Sequence, residues 1–225
     1  DDFWHLEEGE AEKFEHLQPA MERMRDLCDW IIASTPALAE ALGRPEKTIV
    51  CPNLIDARTI LPPRTRPPGP VRIVFAGSKC HQVDILQLVA LPLRKLIRQG
   101  AEVTFFGLEP VDVPGARYVP WSNSILQYQR TLASLAPDIM IGPVLDTPFN
   151  RVKTPIKWLE AAAVGAAFVG SNLAPYHCVR HSVDGSLVAD GNWEWALEAL
   201  TEREDLRRSL VAAAQQRILT EFTWQ

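Results

Sequence analysis

The chain has 225 residues, 47% of them hydrophobic, and a formal net charge of −5, so it can bury one sizeable core or one and a half domains. It contains no lysine- or arginine-rich run, which argues against nucleic-acid binding. No apolar stretch approaches the roughly 20 residues of a membrane span, and no signal peptide is predicted, so we expect a cytoplasmic protein.

The N-terminal part of the sequence predicts a helix and a strand–helix–strand unit. Apolar residues at three- and four-residue steps, Phe14 among them, indicate an amphipathic helix from about Glu10 to Cys28. Short strands are predicted at Trp30–Ala33 and Thr48–Cys51. Between them, Ser34-Thr35-Pro36 predicts the start of a helix over 37–42 that Gly43 ends.

A proline-rich segment, Leu61–Pro70, predicts a stiff connector. We place a domain boundary within it, which gives an N-terminal part at 1–68 and a second domain at 69–225. The second domain alternates strands with helices. Strands are predicted at Val71–Ala76, Glu102–Phe106, Arg117–Val119, Asp138–Gly142, Ala166–Gly170 and 186–188.

The helices between these strands complete an α/β pattern. One is predicted from about Gln82 with a break or restart at Pro92, and closing helices at Trp193–Leu200 and 206–222. Another spans 124–134, with its apolar positions at Ile125, Leu126, Tyr128, Leu132 and Leu135. The alternation predicts a parallel, doubly wound, Rossmann-like sheet with an N-terminal helical and βαβ appendage.

The segment after Gly142 carries an unusual charge pattern. A polar loop leads to Thr154-Pro155, predicted as the N-cap and first residue of a helix that ends before Gly165. Lys157 lies in the first helical turn, where cations are disfavoured, and Arg151 and Lys153 lie just before it. This pattern predicts an anion site at the helix N-terminus, at the carboxyl end of the sheet. The alternative is three solvated surface cations.

Other polar or aromatic residues fall at the ends of predicted strands. Gly77, Ser78 and Lys79 follow the strand 71–76 and offer a second phosphate-binding turn, although the full G-x-G-x-x-G pattern is missing and the glycine could serve the turn alone. Trp121 follows the strand 117–119 and is either a base-stacking residue or a core residue. Asp84 is predicted as a helix-start acid.

Two further groups of residues are candidate sites. Asp146 and Asn150 are loop polar residues that either contact a ligand or form turns. His177, Cys178 and His181 imitate a metal pair, but no further ligands are nearby in sequence. The remaining cysteines are scattered, and reduced thiols are expected. We therefore predict no metal site.

The segment Asp146–Gly165 resembles the donor-binding segment of retaining glycosyltransferases of the GT-B type. The resemblance implies that Lys157 approaches the donor diphosphate and that Glu160 holds the ribose hydroxyls, which makes them the candidate catalytic residues. It departs from the family at Val152, where many relatives have a glutamate assigned to the donor sugar. The remaining implied donor contacts are Gly77, Ser78, Lys79, Trp121, Asn150, Lys153 and Thr154.

The resemblance extends over 71–78 and from Ala174 to Trp224, and the βαβ unit resembles the end of the N-terminal, acceptor-binding domain of that family. Asp1-Asp2-Phe3-Trp4 also resembles a segment of that domain. The chain is thus expected to be a donor-binding part of a larger enzyme. The implied partners are a nucleoside-diphosphate sugar and a glycan or lipid-linked acceptor, with at most peripheral membrane association and a role in polysaccharide biosynthesis.

The expected reaction is a metal-independent hexosyl transfer with retention and without a cofactor. No general base is visible, and stabilisation of the departing diphosphate by cations and helix N–H groups can carry the chemistry. The alternative function is a non-catalytic nucleotide-sugar-binding or scaffolding module of a larger protein. An epimerase on the same architecture would need acidic and histidine residues in a matching cleft, and no convincing set is visible.

Overall fold

The computed structural model describes residues 17–62, 69–110, 112–189 and 191–224. Some of the sequence predictions concern residues outside this part of the chain, namely 1–4, 10–16 and most of the proline-rich connector (63–68). The chain divides into two compact units, and the predicted domain boundary stays a prediction. Among the described residues, the smaller unit comprises 17–53, Asp146–Pro155 and Leu173–Pro175, and the larger unit comprises those of 54–145, Ile156–Asn172 and those of 176–224.

The secondary structure follows the predicted alternation. The described strands are β1 (Ile31–Ala33), β2 (Thr48–Val50), β3 (Ile55–Asp56), β4 (Arg72–Ala76), β5 (Glu102–Phe106), β6 (Arg117–Val119), β7 (Ile139–Gly142), β8 (Ala167–Ser171), β9 (Ser186–Val188) and β10 (Thr223–Trp224). The described α-helices are α1 (Gln18–Leu27), α2 (Pro36–Leu42), α3 (Gln82–Asp84), α4 (Ala90–Arg98), α5 (Ile125–Leu135), α6 (Pro148–Arg151), α7 (Ile156–Val164), α8 (Trp193–Glu202) and α9 (Glu204–Glu221).

The smaller unit is built around the predicted strand–helix–strand arrangement. Strands β1 and β2 pair in parallel, and α2 begins where predicted because the Thr35 hydroxyl accepts a 3.0 Å hydrogen bond from the Leu38 N–H. Gly43 ends α2 with φ of 65°. The segment 143–153, predicted as a loop, contains the short helix α6, which Thr147 caps through the Asn150 N–H.

The larger unit contains the predicted parallel, doubly wound sheet. Its six strands lie in the order β6-β5-β4-β7-β8-β9, and every pair is parallel. In this order the chain runs outward in one direction from β4 and then in the other from β7. The carboxyl ends of β4 and β7 therefore flank the switch point where doubly wound sheets bind ligands. A separate parallel pair joins β3 to β10.

Two local predictions need correction. The helix that follows β4 restarts at Ala90, two residues before Pro92, after a π-helical turn over Ile85–Val89. Pro92 thus lies in the first turn of α4, where a missing N–H is tolerated. On α5, Tyr128 and Leu132 are buried as predicted, but Ile125 and Leu126 are exposed, because the inward-facing stripe begins only at Tyr128.

Candidate functional site

Lys157 is held inside the larger unit at the start of α7. Its side chain is only 7% exposed, so it is not a solvated surface cation. The Nζ atom donates a 2.6 Å hydrogen bond to the carbonyl of Ala76, the last residue of β4, and lies 4.8 Å from the centre of the Phe75 ring. The first turn of α7 therefore brings a positive charge to the carboxyl end of β4.

Gly77 is needed at this point for the space that it leaves. A Cβ atom there would lie 2.8 Å from Lys157 Nζ and 2.8 Å from the Phe75 ring, closer than real Cβ contacts. Its N–H donates to the carbonyl of Phe106 at 2.9 Å. Gly77 thus lets the Lys157 ammonium approach the backbone, while its own N–H is used by the neighbouring strand β5.

The turn after Gly77 leads into a single 3-10 turn, Lys79–His81. Ser78 and Lys79 are both exposed, and the Ser78 hydroxyl lies 3.1 Å from the Cys80 thiol. The backbone of Gly77, Ser78 and Lys79 therefore lies at the edge of the sheet where α7 begins.

Glu160, one turn after Lys157, is partly buried and is held by a neighbour that the sequence did not reveal. The Tyr128 hydroxyl on α5 donates a 3.0 Å hydrogen bond to Glu160 Oε2. Burial raises the pKa of the Glu160 carboxyl, while the charge of Lys157 and the Tyr128 hydroxyl act to lower it. The sequence placed Tyr128 only on the apolar face of α5. A tyrosine rather than a phenylalanine at that position was the available signal.

Trp121 forms the exposed edge of an aromatic cluster beside Tyr128. Its side chain is 52% exposed, which excludes a core position. The Tyr128 ring stacks on Phe106 with centres 4.9 Å apart and an angle of 19°, and Trp121 lies 5.5 Å from Tyr128. Gly107 allows this placement, because a Cβ there would lie 2.4 Å from the Trp121 ring and 2.8 Å from the Gly77 carbonyl oxygen.

The larger unit therefore brings six of the predicted donor contacts to the carboxyl edge of its sheet. These residues are Gly77, Ser78, Lys79, Trp121, Lys157 and Glu160. Together they present a cation, a small-residue turn, a carboxylate and an exposed indole. The cation and the turn are suited to a diphosphate, the carboxylate to a ribose diol and the indole to a base.

The other three predicted contacts lie in the smaller unit. Asn150 is buried on α6, and its carbonyl accepts the Lys153 N–H. Lys153 Nζ lies 4.0 Å from the centre of the Phe149 ring. The Thr154 hydroxyl accepts a 3.2 Å hydrogen bond from the Asn53 amide, and α7 begins at Ile156, one residue after Pro155. Their roles toward a ligand stay predictions.

Arg151 differs from Lys157 in that it is exposed and forms an ion pair within its own segment. Its guanidinium forms a two-pronged ion pair with Asp146, with Nε–Oδ1 and Nη2–Oδ2 distances of 2.6 and 2.9 Å. This guanidinium lowers the pKa of the exposed Asp146 carboxyl. The choice between a turn-forming and a ligand-binding role for Asp146 stays a prediction, and the structure adds its ion pair with Arg151.

Val152, at the position where many relatives have a glutamate, belongs to the core of the smaller unit. It packs with Ala33, Leu38 and Leu42, and its carbonyl accepts a 2.9 Å hydrogen bond from the Thr35 hydroxyl. A carboxylate at this buried position would lose hydration. The valine is thus integral to the packing of β1 and α2.

Asp84 is not simply a helix-start acid. It is 1% exposed, its Oδ2 lies 2.8 Å from His81 Nδ1, and its Oδ1 accepts a 2.8 Å hydrogen bond from the Leu145 N–H. The pair fixes the turn after β4 to the segment after β7. Sequence reasoning passed over His81, although the His-x-x-Asp spacing places both side chains on one helical face.

The described residues also bear on the predictions about metal binding and membrane association. No group of three or more histidine, cysteine or acidic side chains among them has metal-binding geometry. His181 Nδ1 instead accepts the Leu187 N–H at 3.0 Å. Within the same residues, no helix has the length and apolar character needed to cross a bilayer.

Solved structures with the same fold are glycosyltransferases, although no protein-family model and no curated protein matches the sequence. A glycosyltransferase from Rickettsia africae superposes with a TM-score of 0.65 at 12% identity, over 91% of this chain and 63% of its own. HepE from Anabaena, solved in complex with UDP and glucose, superposes with a TM-score of 0.69 at 14% identity, over 93% of this chain and 64% of its own.

Sucrose-phosphate synthase from Thermosynechococcus elongatus is a third such structure. Its TM-score is 0.66 at 15% identity, over 93% of this chain and 58% of its own. The chain therefore spans less than two thirds of the length of these proteins. At these identities the likeness shows the fold, which is that of the GT-B glycosyltransferases.

Proposed function

We propose that the chain binds a nucleoside-diphosphate sugar at the carboxyl edge of the larger unit and serves a retaining, metal-independent hexosyltransferase. The observation that carries this proposal is the buried Lys157 ammonium, which lies against the Gly77 backbone one turn before Glu160. A cation held at a doubly wound switch point, beside a glycine turn and a helix N-terminus, is suited to a diphosphate.

Each part of the donor has a proposed partner. The diphosphate meets Lys157, Lys79 and the backbone amides that follow Gly77, since the Gly77 N–H itself is used by Phe106. The ribose hydroxyls donate to Glu160, and the base stacks on Trp121. The roles of Asn150, Lys153 and Thr154 in donor binding stay predictions that the resemblance implies.

The proposed chemistry is stabilisation of the leaving group. When the bond between the sugar C1 and the diphosphate oxygen breaks, negative charge grows on the diphosphate. Lys157, with the positive N-terminal end of α7, is positioned to stabilise that charge. No metal, cofactor or second carboxylate is required for this step. The acceptor would be a glycan or a lipid-linked glycan, in cytoplasmic polysaccharide synthesis.

A specific observation favours a second function, a non-catalytic nucleotide-sugar-binding or scaffolding module. Val152 is found where the resemblance implies a glutamate that contacts the donor sugar. It is buried in the smaller unit's core. Loss of that carboxylate would remove the sugar contact while leaving the proposed diphosphate, ribose and base contacts intact.

Calorimetric titration of the chain with UDP, GDP, dTDP and ADP tests the proposal. We expect one or more of them to bind. The free nucleoside should bind more weakly, because it has no phosphate for Lys157 to contact. Binding by none of the four to a folded chain would overturn the proposal. Assaying the chain with the corresponding nucleotide sugars then separates the two functions, because only the enzyme releases nucleoside diphosphate.

A further inference from the structure

Tyr128 joins two parts of the proposed site that the sequence treats separately. Its hydroxyl donates to Glu160 Oε2 at 3.0 Å, and its ring contacts both the buried Phe106 and the exposed Trp121, 4.9 and 5.5 Å from their ring centres. One side chain thus contacts both the carboxylate proposed for the ribose and the aromatic cluster proposed for the base.

The hydrogen bond occupies one oxygen of Glu160 and leaves the other available. Oε1 has no hydrogen-bond partner among residues in the described part of the chain, whereas Oε2 is held by Tyr128. A carboxylate with one oxygen fixed has fewer orientations to lose on binding a ligand. The fixed oxygen therefore pre-orients the free one.

We propose that Tyr128 is a positioning residue, which holds the Glu160 carboxylate oriented to accept the ribose hydroxyls of a ribonucleotide. This inference rests on the proposed function. It adds that the site selects ribonucleotides over deoxyribonucleotides through a hydrogen bond that never touches the ligand. It also makes that selectivity dependent on pH.

The charged and titratable groups around Glu160 define the direction of the pH effect. Lys157 interacts with it from the same helix, Tyr128 from α5, and Tyr176 from the end of the 3-10 turn Ala174–Tyr176. Burial raises the pKa values of both tyrosine hydroxyls, and the charge of Glu160 raises them further, so Tyr128 stays protonated and remains a donor.

Removing the Tyr128 hydroxyl should raise the pKa of Glu160. Burial already raises that pKa, and the Tyr128 hydrogen bond is one of two effects that lower it. A hydrogen bond to a charged group corresponds to a shift of about one to two pH units. Affinity for a ribonucleotide is present above the pKa of Glu160 and lost as pH falls through it, so Tyr128→Phe should move this loss to higher pH.

The first measurement needs no nucleotide. The δ-carboxyl carbon of Glu160 is followed by NMR against pH in the wild-type chain, in Tyr128→Phe and in Tyr118→Phe, with Glu160→Gln used to assign the signal. Tyr118 is an exposed tyrosine on β6 in the same unit and is the matched control. We expect an upward shift in Tyr128→Phe and none in Tyr118→Phe. An unchanged titration in Tyr128→Phe overturns the inference.

The second measurement is the affinity for UDP and for 2′-deoxy-UDP from about pH 5 to about pH 9. In Tyr128→Phe we expect the pH at which the preference for UDP is lost to move upward by about one to two units, so that the preference falls about tenfold within that window and recovers above it. Equal weakening of both nucleotides at every pH would mean a structural role and would also overturn the inference.

Failure of the proposed function gives a different pattern. If no nucleoside diphosphate binds the wild-type chain, the proposed function and the ribonucleotide selectivity both fail, whatever the carboxyl titration shows. If UDP binds the wild-type chain and Tyr128→Phe changes neither the carboxyl titration nor the preference for UDP, the proposed function stands and the role of Tyr128 is rejected.

Discussion

Two nearby segments place their cations in opposite environments. At the start of α7, in the larger unit, Lys157 is buried against the end of β4 and Glu160 is held by Tyr128. In the segment before it, in the smaller unit, Arg151 and Asp146 are exposed and pair with each other across five residues. Both segments are rich in charge in the sequence, but only the first carries its charges into the protein.

The difference predicts that position in the fold, rather than charge alone, decides which cation can serve a ligand site. A solvent-exposed ion pair contributes about 0–1 kcal/mol because water and salt screen it. A hydrogen bond involving a charged group contributes about 1.5–3 kcal/mol. The α7 segment should therefore dominate nucleotide binding, and the Asp146–Arg151 pair should affect it little.

Replacing Lys157 by methionine should give the largest loss. Lys157→Met keeps the bulk of the chain but removes the ammonium that faces Gly77, so nucleoside-diphosphate affinity should fall about ten- to a hundredfold. Calorimetry measures the loss. Lys95→Met is the matched control, because Lys95 pairs with Glu194 and Glu198 on the exposed surface of the same unit, and its affinity should stay near wild type.

Gly77→Ala tests whether the glycine acts through Lys157. The added Cβ would press on the ammonium, 2.8 Å away, so this change should weaken binding in the wild-type background and much less in Lys157→Met. Such non-additivity is expected for residues in contact. Additive losses would show that Gly77 acts through the turn or through the space beside Phe75, and not through Lys157.

Glu160→Gln should weaken the binding of UDP by about tenfold, because the amide has one neutral accepting oxygen where the carboxylate has two charged ones. The loss should be smaller for 2′-deoxy-UDP, which offers one hydroxyl less. Equal losses for the two nucleotides would remove the ribose from the proposed role of Glu160. Competition between the two nucleotides for one calorimetric site measures the difference directly.

Trp121→Ala should cost about five- to tenfold in affinity, at the lower part of the ~1–3 kcal/mol range for stacking of a base on an aromatic side chain. Trp195→Ala is the control, since Trp195 is 71% exposed on α8 in the same unit. Quenching of indole fluorescence by UDP should be reduced in Trp121→Ala and kept in the control. Loss of quenching in the control instead would place the base elsewhere.

The strands and their parallel, doubly wound arrangement were predictable because strand and helix periodicities are local. The runs at β4, β5 and β7 are mainly apolar segments that end in glycine or are followed by it, as parallel buried strands often are. The cap at Thr35 and the stop at Gly165 follow from single-residue chemistry, and Gly165 has φ of 73°.

The partners within the site were not predictable from the sequence. Lys157 and Ala76 are 81 residues apart, and Tyr128 and Glu160 are 32 residues apart. Only the order of strands in the sheet brings these pairs together. The burial of Asp84 has the same origin, because its partner Leu145 lies after β7.

Arg151→Gln should have the smallest effect and is the sharpest test of the contrast between the two segments. Asp146 already compensates the guanidinium through two hydrogen bonds, and both side chains are about half exposed. Losing this pair should change nucleotide affinity by less than about threefold, within the 0–1 kcal/mol of an exposed pair. Asp146→Asn should likewise leave nucleotide affinity near that of the wild-type chain, because it removes the other half of the same exposed pair. A loss in Arg151→Gln as large as that in Lys157→Met would show that the exposed segment carries as much of the binding as α7 does, and the distinction between buried and exposed cations would no longer hold.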